Sequence, residues 1–480
     1  MSKLSFKSNL VLLVPELLTA IVSYLPNPDL KSLRLTCKAL GEEVPLHFDR
    51  VFLSANPLNI EVARTIADNE KFRKGVREII WDDALLAHDT SPRAEDDPPT
   101  WFIQACKDNI ENVKDLKRDR KRPKTREFLP FSESWSYYET LLEQQEEVLR
   151  SVADINALTY VLERFRSLQR ITITPAAHGS LDRPLYETPM IKSFPKGFNY
   201  PIPCDWSSSE PFGLYTLPPW TAKKQWRGYC VITNMLAGWN DHHISELTID
   251  VRELETGLSC RVFDEPCEEY DNLVHVLRQP GFRCIDLALL AGGQDYVDDW
   301  SSSRSGHLKE MFEAAPDLEH VSLRIVADYG QIYPDFKEYC IPLQTIFPVD
   351  RWQKLRYFGL SNFIVDGPGL LSLLGALPTT LRFVELSFLE IVGDRGNYRD
   401  ILFDIRDTLD WHDRAANARP KLIIHVYGSS MRYIPMRYQC VDDQANGFIY
   451  GDKENPFGAR SNGNALIHKM GIERSHFGCC

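Results

Sequence analysis

The chain has 480 residues, enough for about three domains or one long repeat array. Hydrophobic residues make up 43% and charged residues 25%, a balance that buries a core and excludes wholesale disorder. The net charge of -12 argues against non-specific nucleic-acid binding, because a phosphate backbone needs clustered lysine and arginine.

At the N-terminus the apolar run from Leu10 to Val14 meets Pro15 at once, too short to cross a bilayer and lacking a signal-peptide cleavage site. The 11 cysteines are odd in number and scattered, which reads as reduced thiols. A soluble protein of the cytoplasm or nucleus is expected, with no membrane partner. Pro15 suits a first helical turn, and Leu17, Leu18, Ile21, Val22 and Leu25 follow at helical spacing as one apolar stripe. Pro26 should end that helix. Asn27 can cap a second one, with Pro28 at its first position, Asp29 in its first turn, and Leu30, Leu33, Cys37 and Leu40 continuing the period to a stop at Gly41. Two short leucine-rich helices cannot bury both stripes against each other, so part of this surface must meet something else: the following domain or a partner.

The residues from Val14 to Lys38 read Val-Pro-Glu-Leu-Leu-x-x-Ile-x-x-Tyr-Leu, then Asp-Leu-x-x-Leu-Arg-Leu-x-Cys-Lys. This string resembles the F-box, the adaptor-binding motif of cullin-type (SCF) ubiquitin ligases, over about a tenth of the chain. The resemblance implies that Val14, Pro15, Glu16, Leu17, Ile21, Leu25, Leu30 and Leu33 dock on a Skp-type adaptor and, through it, a cullin. Val14 stands where that family usually has leucine, a difference of about 1 kcal/mol in contact. Burial of four or five such anchors at roughly 1.5–3 kcal/mol each could offset an association cost of some 4–15 kcal/mol.

Beyond residue 50 a short pattern recurs, with apolar residues at n, n+3 and n+5. It appears as Val76/Ile79/Trp81, Leu168/Ile171/Ile173, Ile244/Leu247/Ile249, Phe282/Ile285/Leu287, Leu318/Val321/Leu323, Leu355/Phe358/Leu360 and Leu381/Val384/Leu386. The last two positions of each alternate with mostly polar residues, as in a strand with one buried face. Helical stretches lie between, such as Leu308/Met311/Phe312/Ala315 and Leu370/Leu371/Leu374/Leu377. Pro280, Pro316, Pro378 and Pro420 stand just before the next strand. Strand, helix, proline, strand implies parallel strands joined by crossovers. The unit looks like an irregular leucine-rich repeat, in which each repeat buries its apolar face against its neighbours. The asparagine ladder of regular members is missing, its places taken by Arg252, Leu290, Val326, Phe363 and Leu389. A doubly wound α/β domain would show similar alternation. The expected fold class is therefore α/β: an N-terminal helical F-box (9–50), then a leucine-rich-repeat-like solenoid with a parallel sheet (51–436). Its open face would carry Thr248, Asp250, Asp286, Ser322, Arg324, Ser361, Glu385 and Ser387, a candidate surface for a protein substrate.

The stretch from Pro175 to Pro219 is dense in proline and aromatic residues and should fold back against the repeats as part of an insertion at 175–225. From 437 onward periodicity stops, and a loosely packed tail is expected. No CxxC, HExxH, GxxxxGK[ST] or GxSxG motif occurs. Asp241, His242 and His243 could hold a metal, though surface histidines explain them more simply; Cys260 and Cys267 read as free thiols. Asp264, Glu265, Glu268 and Glu269 suit a solvated helix start. The basic run Lys114 to Arg126 fits an exposed segment or a localisation signal, and Cys479-Cys480 an unmodified tail or a prenylation site. No cofactor, metal or catalytic residue is expected. F-box and repeats together resemble F-box proteins of filamentous fungi, which implies a substrate-recognition subunit of an SCF-type ligase. The alternatives are an interaction scaffold outside a ligase, or an α/β enzyme using Asp241, His242 and His243.

Overall fold

The computed structural model describes residues 13–87, 98–118, 127–181, 183–203, 206, 220–239, 242–252, 254–292, 294, 300–326, 340, 343–392, 396–427 and 438–458. Three short helices, α1 (Pro15–Val22), α2 (Asn27–Arg34) and α3 (Lys38–Glu43), precede the first strand, β1 (Arg50–Leu53). After α4 (Pro57–Asp68) and α5 (Glu70–Arg73) comes β2 (Glu78–Asp82), then α6 (Thr100–Arg118), α7 (Phe131–Ser151) and α8 (Ala153–Leu162). The chain continues through β3 (Arg170–Thr174), α9 (Pro189–Ser193), α10 (Arg227–Ala237), β4 (Glu246–Ile249), β5 (Leu258–Ser259) and α11 (Glu268–Leu277). Next are β6 (Cys284–Leu290), α12 (Ser301–Arg304), α13 (His307–Glu313), β7 (His320–Val326), β8 (Tyr357–Ser361), β9 (Ile364–Asp366) and α14 (Gly367–Ala376). The last elements are β10 (Phe383–Ser387), β11 (Glu390–Val392), α15 (Tyr398–Thr408), β12 (Lys421–Ile423), β13 (His425–Tyr427), β14 (Tyr438–Cys440) and α16 (Asp442–Tyr450). Among the described residues no helix is long and apolar enough to cross a membrane.

Each recurring triplet becomes a strand of one parallel sheet, in the order β1-β2-β3-β4-β6-β7-β8-β10-β12, with β5 beside β6. Strand order follows chain order throughout. A doubly wound sheet reverses direction at a switch point; here every crossover steps the same way, and with the right-handed connection that parallel strands favour this places the connecting helices on one face. The helices accordingly pack in series, α4 on α8, α10 on α11, α11 on α13, and α14 on α15 on α16. Register is fixed by a hydrogen-bond device at each strand start. The carbonyl of Asp49 accepts both Arg77 and Glu78 N–H groups, that of Arg77 accepts Gln169 and Arg170, and that of Gln169 accepts Ser245 and Glu246. Ser245, Arg283, Glu319 and Arg356 repeat the arrangement through to β10. The inward residues that result, such as Leu247, Ile285, Val321, Phe358 and Val384, are fully buried in one continuous core.

The N-terminal helices differ from expectation in detail. α1 stops at Val22 rather than Pro26, and the second helix breaks after Arg34. Gly41 is not a stop but lies within α3. Asn27 caps nothing; its amide instead grips the His47 backbone, donating to the carbonyl (2.5 Å) and accepting from the N–H (2.8 Å). The proline- and aromatic-rich stretch does fold back. Phe198 and Tyr200 pack with Leu86, Phe102, Cys106, Tyr138 and Leu141 into a second apolar cluster beside α6 and α7. Tyr186 spans β1 to β4, its ring 6.1 Å from Phe52 and its hydroxyl donating to Asp250 (2.8 Å).

The chain after 437 is not loosely packed where it is described. α16 buries Ala445, Phe448 and Ile449, and its polar side chains close the outer edge of β12. Asn446 accepts from the Leu422 N–H (2.9 Å) and donates to the Leu422 carbonyl (2.7 Å), while Asp442 accepts from the Ile424 N–H (2.7 Å). A side-chain amide thus takes the place of a further strand, which blunts an edge that would otherwise template pairing. The Cys479-Cys480 pair and most of the run from Lys114 to Arg126 lie outside the described residues. Replacing Asn446 with alanine leaves both Leu422 groups without these bonds and should cost about 1–3 kcal/mol. Thermal unfolding should fall accordingly, with larger species appearing by light scattering; an unchanged melt would remove the edge-capping role.

Candidate functional site

Two surfaces gather the residues singled out in the sequence. The first is the three-helix module. Its apolar residues do not form one stripe but two, because Leu17 and Leu18, like Ile21 and Val22, sit about 100° apart around the helix. Leu18 and Val22 turn inward and pack with Leu30, Leu40 and Val44, flanked by Leu13, Leu25, Leu33 and Leu46. Leu30 is fully enclosed, so its part in any docking face is to support the helices, and Leu25 and Leu33 are half-buried. Pro15 and Glu16 are exposed at the start of α1. The outward stripe is apolar too: Val14 is 54% exposed, Leu17 54%, Ile21 45% and Tyr24 88%, with Leu35 87% exposed at the break between α2 and α3. Tyr24 and Leu35 stand in the quoted string but are not among the residues expected to dock; Tyr24 lies seven residues from Leu17 and three from Ile21, a spacing that could have placed it there.

The module is joined to α5: Phe48 meets Phe72 with ring centroids 5.0 Å apart, and the Lys71 ammonium reaches the Glu42 carbonyl (3.4 Å); within the module Arg34 donates to the Val44 carbonyl.

The second surface is the sheet face opposite the helices. Register aligns Thr248 with Asp286, Asp286 with Ser322, and Arg324 with Ser361; Gly359 stands between Ser322 and Glu385. Seven of the eight residues expected on this face, Asp250 included, are half-buried. Ser387, by contrast, is enclosed beside His425 (Oγ to Nδ1, 3.0 Å). At the N-terminal end the same face is covered, since Ile80, Asp82, Thr172 and Thr174 are buried. Burial, with Asp250 nearby, pushes the Asp286 carboxyl up to about 7 despite a hydrogen bond from Ser322, and Glu385 adds to the shift. Along the strand starts runs a row that alternation two residues further back would have revealed. Glu246 binds Arg170 (2.6 Å) and Arg283 (2.7 Å), and beyond it His320 stacks on Tyr357 at 4.1 Å.

Chemistry-bearing groups elsewhere are enclosed or dispersed. Asp241 lies outside the described residues; His242 is half-buried, its Nδ1 accepting from the Ile244 N–H (3.2 Å), and His243 is exposed. Among the described residues no three metal-ligating side chains converge. Cys260 is buried and Cys267 half-buried, both as free thiols. Glu269 departs from the solvated helix start expected: it is buried and accepts from Trp220 Nε1 (3.0 Å) and Lys223. The interior also holds a polar knot. Asp83 accepts from the indoles of Trp81 (3.1 Å) and Trp206 (3.0 Å) and from the Gly228 N–H (2.8 Å). A Cβ on Gly228 would stand 2.5 Å from the Trp81 indole, so only glycine lets α10 approach. Beside it His178 bonds Tyr200 (2.8 Å) and faces Asp82 at 3.8 Å. Burial pushes Asp82 up to about 8 and His178 down to about 3, so both are uncharged at neutral pH. With both side chains fully enclosed, the pair is a packing feature rather than a substrate site.

No protein-family model matches this chain, and no curated protein matches it in sequence.

Because the folded state holds a proton on Asp82 that the unfolded chain releases near pH 4, stability should fall as pH rises toward 8. His178 acts oppositely, but only below about pH 6.5. Between pH 6.5 and 8 the loss from Asp82 should be on the order of 1–2 kcal/mol, with Asp286 adding in the same direction. Denaturant unfolding of Asp82→Asn should show a shallower pH slope than wild type; identical slopes would dismiss the buried acid.

Proposed function

We propose that this protein is the substrate-recognition subunit of an SCF-type cullin ubiquitin ligase. The observation that carries the reading is the outward stripe of Val14, Leu17, Ile21 and Tyr24 on a module whose interior is already closed by other residues. Isolated surface leucines are ordinary, but a contiguous apolar stripe along one helix marks a contact surface. The occupant follows from the resemblance of Val14 to Lys38 to the F-box, and is a Skp-type adaptor that leads to a cullin. The chain-ordered parallel sheet supports the reading of the remainder as an irregular leucine-rich-repeat solenoid, with nearest-neighbour burial in place of the asparagine ladder.

In this reading the protein acts by tethering and carries no catalytic group of its own. The helices hold the adaptor, the open sheet face holds a substrate protein, and the effective concentration of substrate beside the ubiquitin-charged enzyme rises. Contacts of Phe48 with Phe72 and of Lys71 with the Glu42 carbonyl join the module to the repeat domain.

The test separates docking from folding. Leu17→Asp with Ile21→Asp should abolish capture of the purified Skp-type adaptor while changing unfolding stability far less than Leu30→Ala does, because both side chains are about half exposed. Leu30→Ala should instead destabilise the module by about 2–5 kcal/mol through its enclosed side chain. Equal adaptor recovery by wild type and the double variant would sink the ligase reading. Adaptor capture without cullin assembly would point to a scaffold outside a ligase.

A further inference from the structure

The residues whose carbonyls set register at the strand starts also set the charge of that end of the sheet. From the start of β1 to the start of β7 they balance: Arg77 and Arg283 stand against Asp49 and Glu319, with Gln169 and Ser245 neutral. At the next three positions the balance is lost. The carbonyl of Arg356 accepts the Arg382 N–H (2.7 Å), and that of Arg382 accepts the Lys421 N–H (2.8 Å). Three cations therefore follow one another on the adjacent strands β8, β10 and β12, about 4.8 Å apart. Like charges set opposite each other on neighbouring strands are destabilising, so this arrangement is one that folding alone does not favour.

Earlier strand starts meet their cations with acids. Arg50 lies 3.6 Å from Glu78, and Glu246 holds both Arg170 (2.6 Å) and Arg283 (2.7 Å). Of the last three, only Arg356 has an acid beside it, Glu319 at 3.8 Å, and it stays 68% exposed. Arg382 donates to the Thr379 (3.0 Å) and Leu381 (2.7 Å) carbonyls, and among the described residues neither it nor Lys421 forms an ion pair. Glu385, two residues further along β10, is engaged by the Tyr357 hydroxyl. An apolar group stands in the same place. Phe383 follows Arg382, pairs in register with Lys421 and is 41% exposed.

We propose that the strand starts of β8, β10 and β12 form an interaction surface for an extended acidic segment of a partner protein, with carboxylates over Arg356, Arg382 and Lys421 and an apolar side chain on Phe383. One cation per strand suits carboxylates spread along an extended chain, where a compact anion would need the cations to converge. The chain's net charge of -12 does not oppose a short segment, because salt screens charges beyond about 8–10 Å. A long polyanion such as nucleic acid would extend past the patch and meet the negative remainder. The surface lies at the strand starts and its occupant does not depend on the receptor reading, so adaptor capture and peptide binding judge the two separately.

The probe is a fluorescent glycine–serine peptide with glutamates at its second, fourth and sixth positions and leucine at its fifth, measured by anisotropy against the full chain at low ionic strength. A second peptide has glutamine in place of each glutamate. Wild type should bind the glutamate peptide at least about tenfold tighter than the glutamine peptide. Arg356→Gln with Lys421→Gln should weaken that binding about tenfold, and Phe383→Ser about threefold. Lys74→Gln with Lys192→Gln removes the same charge elsewhere on the surface and should change it by less than about twofold. Every replaced side chain is exposed, so each variant should melt like wild type. No preference for the glutamate peptide, equal losses from the two double variants, or tighter binding of an oligothymidylate of equal charge would overturn the proposal.

Discussion

A one-residue slip between β6, β7 and β8 would turn Leu287, Leu323 and Leu360 out to solvent and carry Asp286 and Ser322 into the core. The paired N–H groups that share one carbonyl at each strand start prevent that slip, and they do so at every junction from β1 to β10. This constraint makes the inward residues a single core and the outward residues a set of straight rows. Each unit is covered by its neighbours alone, so the ends of the sheet need separate solutions. At β12 the solution is Asn446 and Asp442 of α16.

The rows explain why the open face is usable as a surface. A polar residue on a single strand is only a solvated side chain. Aligned across strands, the same residues become a pairing network around Glu246 and an aromatic row at His320, Tyr357 and Phe383. The insertion packed on β1 to β4 covers one end of this face through Tyr186 and the cluster around Tyr138 and Tyr200. The β6 to β10 portion keeps its half-buried polar residues.

The helical module illustrates a limit of helical periodicity. Leu17 and Ile21 lie about 100° around the helix from Leu18 and Val22, but spacing alone does not say which of the two pairs faces inward. The two pairs separate only once α2 and α3 are in place, because Leu30, Leu40 and Val44 fill the side facing Leu18 and Val22. Leu30 looked equivalent to Leu17 for the same reason, yet one is enclosed and the other is half exposed. Tertiary packing decided which leucines are core and which are surface.

Sequence alone determined the local frame. Period-two alternation with a leading apolar residue placed seven strands, prolines marked where helices give way to strands, and Pro15 set the first helix, because these signals act within a few residues of themselves. What it could not determine lies in contacts between distant segments. Strand order, the burial of Glu269 by Trp220 and Lys223, the Asp83 knot joining Trp81, Trp206 and Gly228, and the packed α16 all join residues far apart in the chain. Each depends on three-dimensional proximity, and burial of a polar group is tolerated only where such a remote partner arrives.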